Sequence, residues 1–272
     1  MSIDEKILKK LETLTEAEQQ QLLKTLETPN RDVQKYSHNF GGKHIRIASI
    51  NDTHIGVKQF DEELLLKLFK FYKKNHVDAI YHGGDILEGM SGRPGHIYEL
   101  SHIGYTAQMD YCEQLFNQTT IPIFGITGNH DDWYMGKNNG GVDVGVELEK
   151  RVKHFHNLGH NEADIIFNDK FKMKLIHPND GSAYAPGYKL MKFIESLGGG
   201  EKPHILIEAH YHKAMYMFSR NIHAYDGGTL CGQTSFMRGK KLAAHKGGWM
   251  MDYYFSNDSI ERVVNTFLPK YD

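Results

Sequence analysis

Cysteine and long apolar runs are the two features that this sequence most clearly lacks. Its 272 residues include two cysteines, Cys112 and Cys231, which form no Cys-x-x-Cys pair and are too few for a disulfide framework. No uninterrupted apolar stretch approaches the roughly 20 residues that span a bilayer. Residues 1–6 also lack the basic and then apolar pattern of a signal peptide. These features favour a cytoplasmic protein and argue against a disulfide-stabilised secreted domain.

A large excess of one charge is also missing. The 32 lysines and arginines nearly balance the 34 aspartates and glutamates, so the formal net charge is −2. The isoelectric point lies near 6.8. A chain this close to neutrality has no global basic field that would hold nucleic acid or an anionic membrane. Any such partner would have to be bound by a local basic patch.

The first part of the chain differs from the rest. Residues 1–42 are polar and favour helix, with a predicted capping box at Thr15 and Glu18 and a helix end at Pro29. The remaining length and the hydrophobic fraction of 40% suit a large α/β domain with a substantial core. We therefore predict a helical N-terminal extension over residues 1–42 and one globular domain over residues 43–272.

Strand and helix patterns alternate at the start of the globular domain. Apolar runs at 44–50, 77–81 and 121–126 have the length of buried strands, whereas 61–75 and 97–117 carry apolar residues at helical spacing. Such a βαβαβ order predicts a largely parallel sheet with right-handed crossovers.

The second half of the domain reads mostly as strands. One helix is predicted near 187–197, and strands are predicted at 164–167, 171–176, 204–209, 214–218, 222–226, 249–255 and 260–267. Together the two halves indicate an α/β fold in which two packed sheets are flanked by helices.

Five short polar signatures follow apolar runs in this domain. Carboxylates, imidazoles and amide oxygens at the carboxyl ends of parallel strands can converge on metal ions. On a strand, residues i and i+2 face the same way, which predicts that Asp52 and His54, and likewise His210 and His212, reach one ion together. The signatures are Asp52-Thr53-His54, Gly83-Gly84-Asp85, Gly128-Asn129-His130-Asp131, His177 and His210-Tyr211-His212.

Each signature alone has an ordinary structural explanation. Asp-x-His is often a capping residue beside a surface histidine, and Gly-Gly-Asp is usually a turn. A lone His177 or a His-x-His pair is common on half-buried strands. The combination in this order is what favours a metal centre.

The ordered signatures resemble the calcineurin-like metallophosphoesterase superfamily. Its motifs are D-x-H, G-D-x-x-D/E, G-N-H-D/E, a lone H and G-H-x-H, and the resemblance covers residues 44–226. It implies a four-layer sandwich of two mixed β-sheets flanked by helices. The last motif departs from the pattern because Ala209 stands where glycine is usual.

The resemblance also implies roles for individual residues. His130 would face the substrate phosphate and assist the leaving oxygen, and Glu88 would orient His130. A hydroxide that bridges two divalent cations would attack phosphorus. A ligand set of nitrogen and oxygen without thiolate suits Mn²⁺, Fe²⁺, Zn²⁺, Ni²⁺ or Co²⁺, and the resemblance favours manganese. The implied metal ligands, with Asp85 shared between the ions, are Asp52, His54, Asp85, Asn129, His177, His210 and His212.

Local features suggest a nucleic-acid substrate. The first motif is similar to that of double-strand-break repair nucleases, and residues 227–236 resemble a stretch in the proofreading subunit of archaeal family D DNA polymerase. A basic cluster follows, with Phe236 and Trp249 nearby as possible stacking residues. A solvated loop and core packing are the ordinary alternatives. The cluster is Arg238, Lys240, Lys241, His245 and Lys246, and the predicted substrate contacts are Arg93, His96, Tyr184, Arg238 and Lys240.

Three functions are compatible with these patterns. The leading hypothesis is a metal-dependent phosphodiesterase that acts on DNA as a nuclease or exonuclease. The alternatives are a phosphodiesterase or pyrophosphohydrolase of a small nucleotide, and a non-catalytic scaffold, against which the complete motif set argues. Gly89 and Met90 stand where family protein phosphatases carry an arginine, which argues against a protein phosphatase.

Overall fold

The computed structural model describes Leu14, Thr15 and residues 33–136, 140–198, 200–257 and 259–271. The helix predicted within residues 1–32 lies outside the described part of the chain. The described strands are β1 (Gln34–His38), β2 (His44–Ile50), β3 (Ala79–His82), β4 (Ile123–Thr127), β5 (Phe155–His160), β6 (Glu162–Phe167), β7 (Phe171–Ile176), β8 (Ile205–Glu208), β9 (Ala214–Ser219), β10 (Ile222–Gly227), β11 (Gly247–Phe255) and β12 (Ile260–Pro269).

Five α-helices and two 3-10 helices connect the described strands. The helix predicted at 97–117 is divided, because Gly104 has a left-handed φ of 88° and forms the N-cap of its second part. The two 3-10 helices are His96–Glu99 and Asp131–Met135. The α-helices are α1 (Glu62–Lys74), α2 (Tyr105–Phe116), α3 (Val144–Arg151), α4 (Tyr188–Ser196) and α5 (Ser235–Gly239).

Local sequence explains where α1 begins and ends. The side chain of Asp61 accepts a hydrogen bond from Leu64 N at 3.0 Å, which satisfies an otherwise unpaired amide of the first turn. Glu62 and Glu63 lie at the positive end of the helix dipole, and the basic residues of the last turn lie at its negative end. Its buried face carries Leu64, Leu65, Leu68, Phe69 and Tyr72.

The described strands form two mixed sheets of six strands each. Sheet I has the order β12-β11-β2-β3-β4-β5, and sheet II has the order β1-β6-β7-β8-β10-β9. In sheet I, β2, β3, β4 and β5 are mutually parallel, and β11 and β12 are antiparallel additions. In sheet II, β7, β8 and β10 are parallel neighbours.

Three hydrophobic clusters separate the layers. One packs α1, α2 and α3 against the outer face of sheet I, and a second lies between the sheets, where Tyr81 meets Phe167 and Tyr225 meets Trp249. A third packs Leu190 and Ile194 of α4 against the outer face of sheet II. The layers are therefore helix, sheet, sheet and helix, which confirms the predicted four-layer α/β sandwich.

Several elements differ from the sequence-based prediction, among them α5 (Ser235–Gly239), which was not predicted. The strand β1 pairs in parallel with β6, so residues 34–38 belong to the globular fold, although the prediction assigned them to a helical extension. The strand β5 and the helix α3 were not predicted. Only Phe155 and Leu158 are buried in β5, so its sequence shows little strand periodicity.

No helix among the described residues combines the length and the apolar character needed to cross a membrane.

His160 ties β5 to the start of α3. Its Nε2 lies 2.9 Å from Oδ2 of Asp143, which is the N-cap of that helix. Its Nδ1 lies 2.6 Å from Oγ1 of Thr127 and 3.5 Å from Oδ1 of Asp132. The carboxylates of Asp132 and Asp143 raise the pKa of His160 from 6.5 to about 9.

We predict that His160 stabilises the fold in a pH-dependent way. Because its pKa is raised on folding, the stabilisation should be fully present below about pH 6.5 and be lost as the pH rises through about 9. The free energy of unfolding in urea should therefore differ most between the wild type and His160→Asn near pH 6, and least near pH 10. A difference that does not change with pH would contradict this role.

Candidate metal centre

The loops that follow β2, β3, β4, β7 and β8 meet at one end of the two sheets. They bring together the seven residues predicted as metal ligands. Six of these lie in three groups of side chains, and within each group the ligand atoms lie within 4.8 Å of one another. The seventh, Asn129, has its Oδ1 3.1 Å from Nε2 of His177. The groups are Asp52, His54 and His212; His54, Asp85 and His130; and Asp85, His177 and His210.

The predicted reason for this convergence is wrong, although the residues do converge. The strands β2 and β8 end at Ile50 and Glu208, before the ligands begin, so strand alternation does not aim these side chains. Instead, five ligand residues have a left-handed φ, which non-glycine residues rarely adopt. They are Asp52 (48°), His54 (49°), Asp85 (51°), His210 (77°) and His212 (55°).

Hydrogen bonds between the loops hold this strained backbone. Asp52 N donates to Gly84 O at 3.1 Å, and His54 N donates to Asp85 O at 3.0 Å. His210 N donates to the carboxylate of Asp52 at 3.0 Å. Asn51 accepts from Gly83 N at 2.8 Å and donates to Gly227 O at 3.0 Å, so it links sheet I to sheet II. Asn51 lies just before the first of the predicted signatures and belongs to none of them.

Glycine is required where two of these loops pass closest to each other. A Cβ at Gly128 would lie 2.3 Å from Oδ1 and 2.6 Å from N of Asp85. A Cβ at Gly84, whose φ is +99°, would lie 2.7 Å from Nδ1 of His177. The tight contact of these loops therefore depends on the missing side chains.

The first ligand group, Asp52, His54 and His212, joins the loop after β2 to the loop after β8. The Nε2 atoms of His54 and His212 lie 3.0 Å apart, and His212 Nε2 lies 3.6 Å from Oδ1 of Asp52. His54 Nε2 also lies 3.7 Å from Oδ2 of Asp85. The opposite nitrogen of His54, Nδ1, donates to Oε2 of Glu88 at 2.8 Å, so its Nε2 is the atom that a cation could bind.

The group of Asp85, His177 and His210, together with Asn129, forms a second set of candidate ligands, which we call the acceptor cluster. His177 Nε2 lies 3.3 Å from Oδ2 of Asp85, 3.1 Å from Oδ1 of Asn129 and 3.3 Å from Nδ1 of His210. His177 Nδ1 donates to Gly83 O at 2.8 Å.

The hydrogen bonds at the rear of both rings decide what the acceptor cluster can bind. A backbone carbonyl can only accept, so the contact of His177 Nδ1 with Gly83 O and that of His210 Nε2 with Asp180 O (2.8 Å) place protons on those nitrogens. In the neutral imidazoles, His177 Nε2 and His210 Nδ1 then present lone pairs toward Asp85. Facing lone pairs repel unless a positive charge lies between them, so this donor set fits a divalent cation.

The pKa values point to the same demand for positive charge. Burial lowers the pKa of His177, but the Asp85 carboxylate outweighs burial and raises it to about 9. Burial also lowers the pKa of His54, while the hydrogen bond and charge of Glu88 raise it to about 9. Burial raises the pKa of Asp52 to about 7. Protons and metal ions therefore compete for the same nitrogens, and metal binding should release protons.

Glu88 contacts more than the one histidine that the resemblance implies. Its carboxylate binds His54 Nδ1 at 2.8 Å and His96 Nε2 at 2.7 Å. His130 Nδ1 lies 3.6 Å from that carboxylate but only 2.9 Å from the backbone oxygen of Glu88, to which it donates. The side chain of Glu88 thus orients His54, and its backbone orients His130.

Asp131 is a structural member of the site that the motif did not explain. It is buried, and its carboxylate accepts from Gly128 N at 2.9 Å, Leu87 N at 2.8 Å and Ile86 N at 3.1 Å. These bonds join the loop that carries Asp85 to the loop that carries Asn129 and His130.

A cavity of about 660 Å³ opens above the candidate metal ligands. Of the predicted substrate contacts, Arg93 and Lys240 line it. His96 is wrong as a substrate contact, because its side chain is buried against Glu88 and accepts from Ser91 N. Tyr184 and Arg238 are exposed, but neither is among the described residues that line the cavity.

The structure also corrects the predicted basic and stacking residues. Trp249 lies in the core between the sheets, where its Nε1 donates to Asp226 O at 3.1 Å. Lys246 Nζ lies 3.3 Å from the carboxylate of Asp61, away from the cavity lining.

The position next to Glu88 leaves room for glycine only. At Gly89, a Cβ would lie 2.3 Å from His130 O, so no larger side chain fits there without movement.

The chain belongs to the calcineurin-like phosphoesterase family, whose model matches residues 45–214. It is therefore a metal-dependent phosphoesterase, and its Asp and His clusters fit a divalent metal. No curated protein matches the sequence.

Several solved structures are similar to this chain. One is a novel archaeal phosphodiesterase, with 15% identity over 82% of this chain and 100% of that chain and a TM-score of 0.48. Another is vacuolar protein sorting 29 from Cryptosporidium parvum, with 15% identity, coverages of 84% and 100% and a TM-score of 0.47. The phosphoesterase Yfce from E. coli has 11% identity, coverages of 81% and 98% and a TM-score of 0.45.

We predict that Gly128→Ala weakens metal binding strongly. The added Cβ would push the Asn129 loop away from Asp85, and such overpacking also costs about 1–3 kcal/mol of stability. Calorimetric titration with Mn²⁺ should show the loss. Gly136→Ala is the matched control, because its Cβ would lie 3.4 Å from its nearest neighbour, Trp133 O. Equal metal affinity in the two variants would contradict the close approach.

We also predict that His96 acts as a positioning residue for the metal. Its Nε2–H donates to Glu88, which in turn orients His54. Losing such an outer partner typically weakens metal affinity about 10- to 100-fold. Mn²⁺ titration of His96→Asn should show this loss, while His102→Asn, outside the cavity lining, should bind as the wild type does. Unchanged affinity in His96→Asn would disprove the role.

Proposed function

We propose that this phosphoesterase is a phosphodiesterase that cleaves nucleic acid, with DNA as the favoured substrate. We further propose that it uses two divalent cations, with Mn²⁺ ahead of Fe²⁺, Zn²⁺, Ni²⁺ and Co²⁺. The observation that carries the proposal is the position of Asp85 between the two sets of candidate ligands at the base of a cavity, with its Oδ2 3.7 Å from Nε2 of His54 and 3.3 Å from Nε2 of His177. Asp52, His54 and His212 would hold one ion with Asp85, and Asn129, His177 and His210 would hold the other.

Proton transfer to the leaving oxygen would fall to His130, beside the candidate metal ligands. When bound, divalent cations lower the pKa of water and neutralise charge on the phosphate. His130 donates its Nδ1 proton to Glu88 O, which leaves Nε2 as the ring atom that can exchange a proton with the leaving oxygen. Burial lowers the pKa of His130, and the charges of Asp85 and Glu88 oppose this. Burial outweighs the carboxylates, so the net shift of the His130 pKa is downward, and the negative charge of a bound phosphate would be needed to favour the protonated ring that a general acid requires.

Surface charge supports a polyanionic substrate. Lys240 lines the cavity, and Arg238 and Lys241 are exposed beside it. Cations at the mouth of a site can hold the phosphates of a strand that runs past it. The two cysteines are free thiols in buried positions, which is compatible with the proposed cytoplasmic location.

A small nucleotide is the second candidate substrate. The cavity volume of about 660 Å³ lies within the range of small-molecule sites. The complete set of predicted ligands argues against the non-catalytic scaffold.

We predict that His130→Ala lowers kcat for bis(p-nitrophenyl) phosphate by about 10²- to 10⁴-fold, which is the usual contribution of a general acid. Metal stoichiometry should be unchanged, as measured by elemental analysis. The exposed His76, outside the cavity lining, supplies the control variant His76→Ala. Full activity in a metal-loaded His130→Ala protein would disprove the catalytic role.

Salt dependence separates the two substrates. Binding of a single-stranded oligonucleotide to the metal-loaded protein should weaken steeply between 50 and 200 mM salt, because phosphate contacts release counterions. A protein that cleaves nucleotides but leaves DNA intact, with salt-independent binding, would replace the nuclease with the small-nucleotide enzyme.

A further inference from the structure

One wall of the cavity differs from its metal-binding base. Phe236, Met237 and Leu242 follow one another along α5 and the segment after it, and all three line the cavity. This wall offers no carboxylate or imidazole for a metal. Phe236 is 45% exposed, although burying an aromatic ring is favourable.

Arg93 covers part of this ring. Its guanidinium carbon lies 5.1 Å from the ring centroid of Phe236, which is within cation–π range. Glu99 holds the guanidinium through Nη2–Oε2 at 2.6 Å and Nη1–Oε1 at 3.4 Å. Because Glu99 neutralises Arg93, the guanidinium is better placed as a planar neighbour of Phe236 than as a clamp for phosphate.

The wall is attached to the loops that carry the metal ligands. Thr229 Oγ1 donates to Asp52 O at 2.8 Å, and Leu230 N donates to the same oxygen at 3.2 Å. Thr234 then caps α5 by accepting from Met237 N at 3.2 Å. On the other side, Arg93 lies five residues after Glu88 in the chain. The position of Phe236 is therefore set relative to the site where the scissile phosphate would lie.

We propose that Phe236 and Arg93 form a subsite for the base of the nucleotide whose phosphate lies at the metal centre. The inference rests on the proposed function and names the part of the substrate that the apolar wall recognises. Nucleobases stack on aromatic rings and on guanidinium planes with little regard to base identity. The cavity of about 660 Å³ is large enough for one nucleotide unit.

Binding measurements test the subsite without requiring catalysis. Calorimetry on the Mn²⁺-loaded protein would compare deoxyadenosine 5′-monophosphate with ethyl phosphate, which has the phosphate but no base. The wild type should prefer the nucleotide, and Phe236→Leu should reduce that preference roughly tenfold, as expected for the loss of one stacking contact. Affinity for ethyl phosphate should not change.

Two further variants make the result specific. Phe236→Tyr keeps the ring and should keep the preference. Phe218→Leu makes the same change at another exposed phenylalanine, on β9 and outside the cavity lining, and should also keep it. Equal binding of the two ligands by the wild type, or a preference that survives Phe236→Leu, would overturn the subsite.

The binding test of the subsite and the activity test of the proposed function can fail independently. Failure to hydrolyse any phosphodiester would refute the proposed function without altering the binding comparison. A free nucleotide and the end of a strand share the same chemistry, so a 5′-phosphorylated oligodeoxyadenylate serves as competitor. If the oligonucleotide displaces bound nucleotide at a lower concentration than unlabelled mononucleotide does, the subsite binds the end of a strand. If it does so only at a higher concentration, the subsite binds a free nucleotide.

Discussion

The centre of this protein depends on bringing together atoms that repel one another. Asp85 and the imidazole nitrogens of His177 and His210 face each other, while the carbonyls of Gly83 and Asp180 hold the ring protons on the far side. Without a positive charge between them, these buried acceptors would be costly. Protons can supply that charge, as the pKa of about 9 at His177 indicates. A divalent cation can instead accept the lone pairs of Asp85, His177 and His210 at the same time. The same demand for charge links metal binding, proton release and pH dependence.

The fold brings these acceptor atoms together at one end of its two sheets. Parallel strands in sheet I and sheet II end side by side, so their loops supply ligands from residues that are far apart in the chain. The loops are held in strained conformations, with left-handed backbone at five ligand residues. Buried bonds from Asn51 and Asp131 and the missing side chains at Gly84 and Gly128 keep them in place. Rigidity here is useful because ligands must be aligned before the ion arrives.

Sequence patterns predict the fold and the set of residues that converge as candidate ligands, but not the paths of the loops. The strand at 44–50 was predicted with the bounds that the structure has, because a buried strand is a continuous apolar run. The strand β5 was missed since most of its side chains are polar or half-buried. Asp52 and His54 converge through left-handed loop geometry, which a spacing of two residues does not reveal. His96 contacts Glu88 because Gly89 to Gly95 turns back on itself, and that path is decided by tertiary packing.

The most direct test of this account is the number of metal ions bound per chain, with and without the carboxylate of Asp85. After dialysis against Mn²⁺ and removal of free ions, elemental analysis should find two ions per chain in the wild type. Asp85→Asn, which removes the carboxylate that lies between His54 of the first ligand group and His177 of the acceptor cluster, should hold fewer than one. A wild-type protein that binds no ion under these conditions, or an Asp85→Asn protein that still binds two, would contradict the central claim that this cluster is built around shared divalent cations.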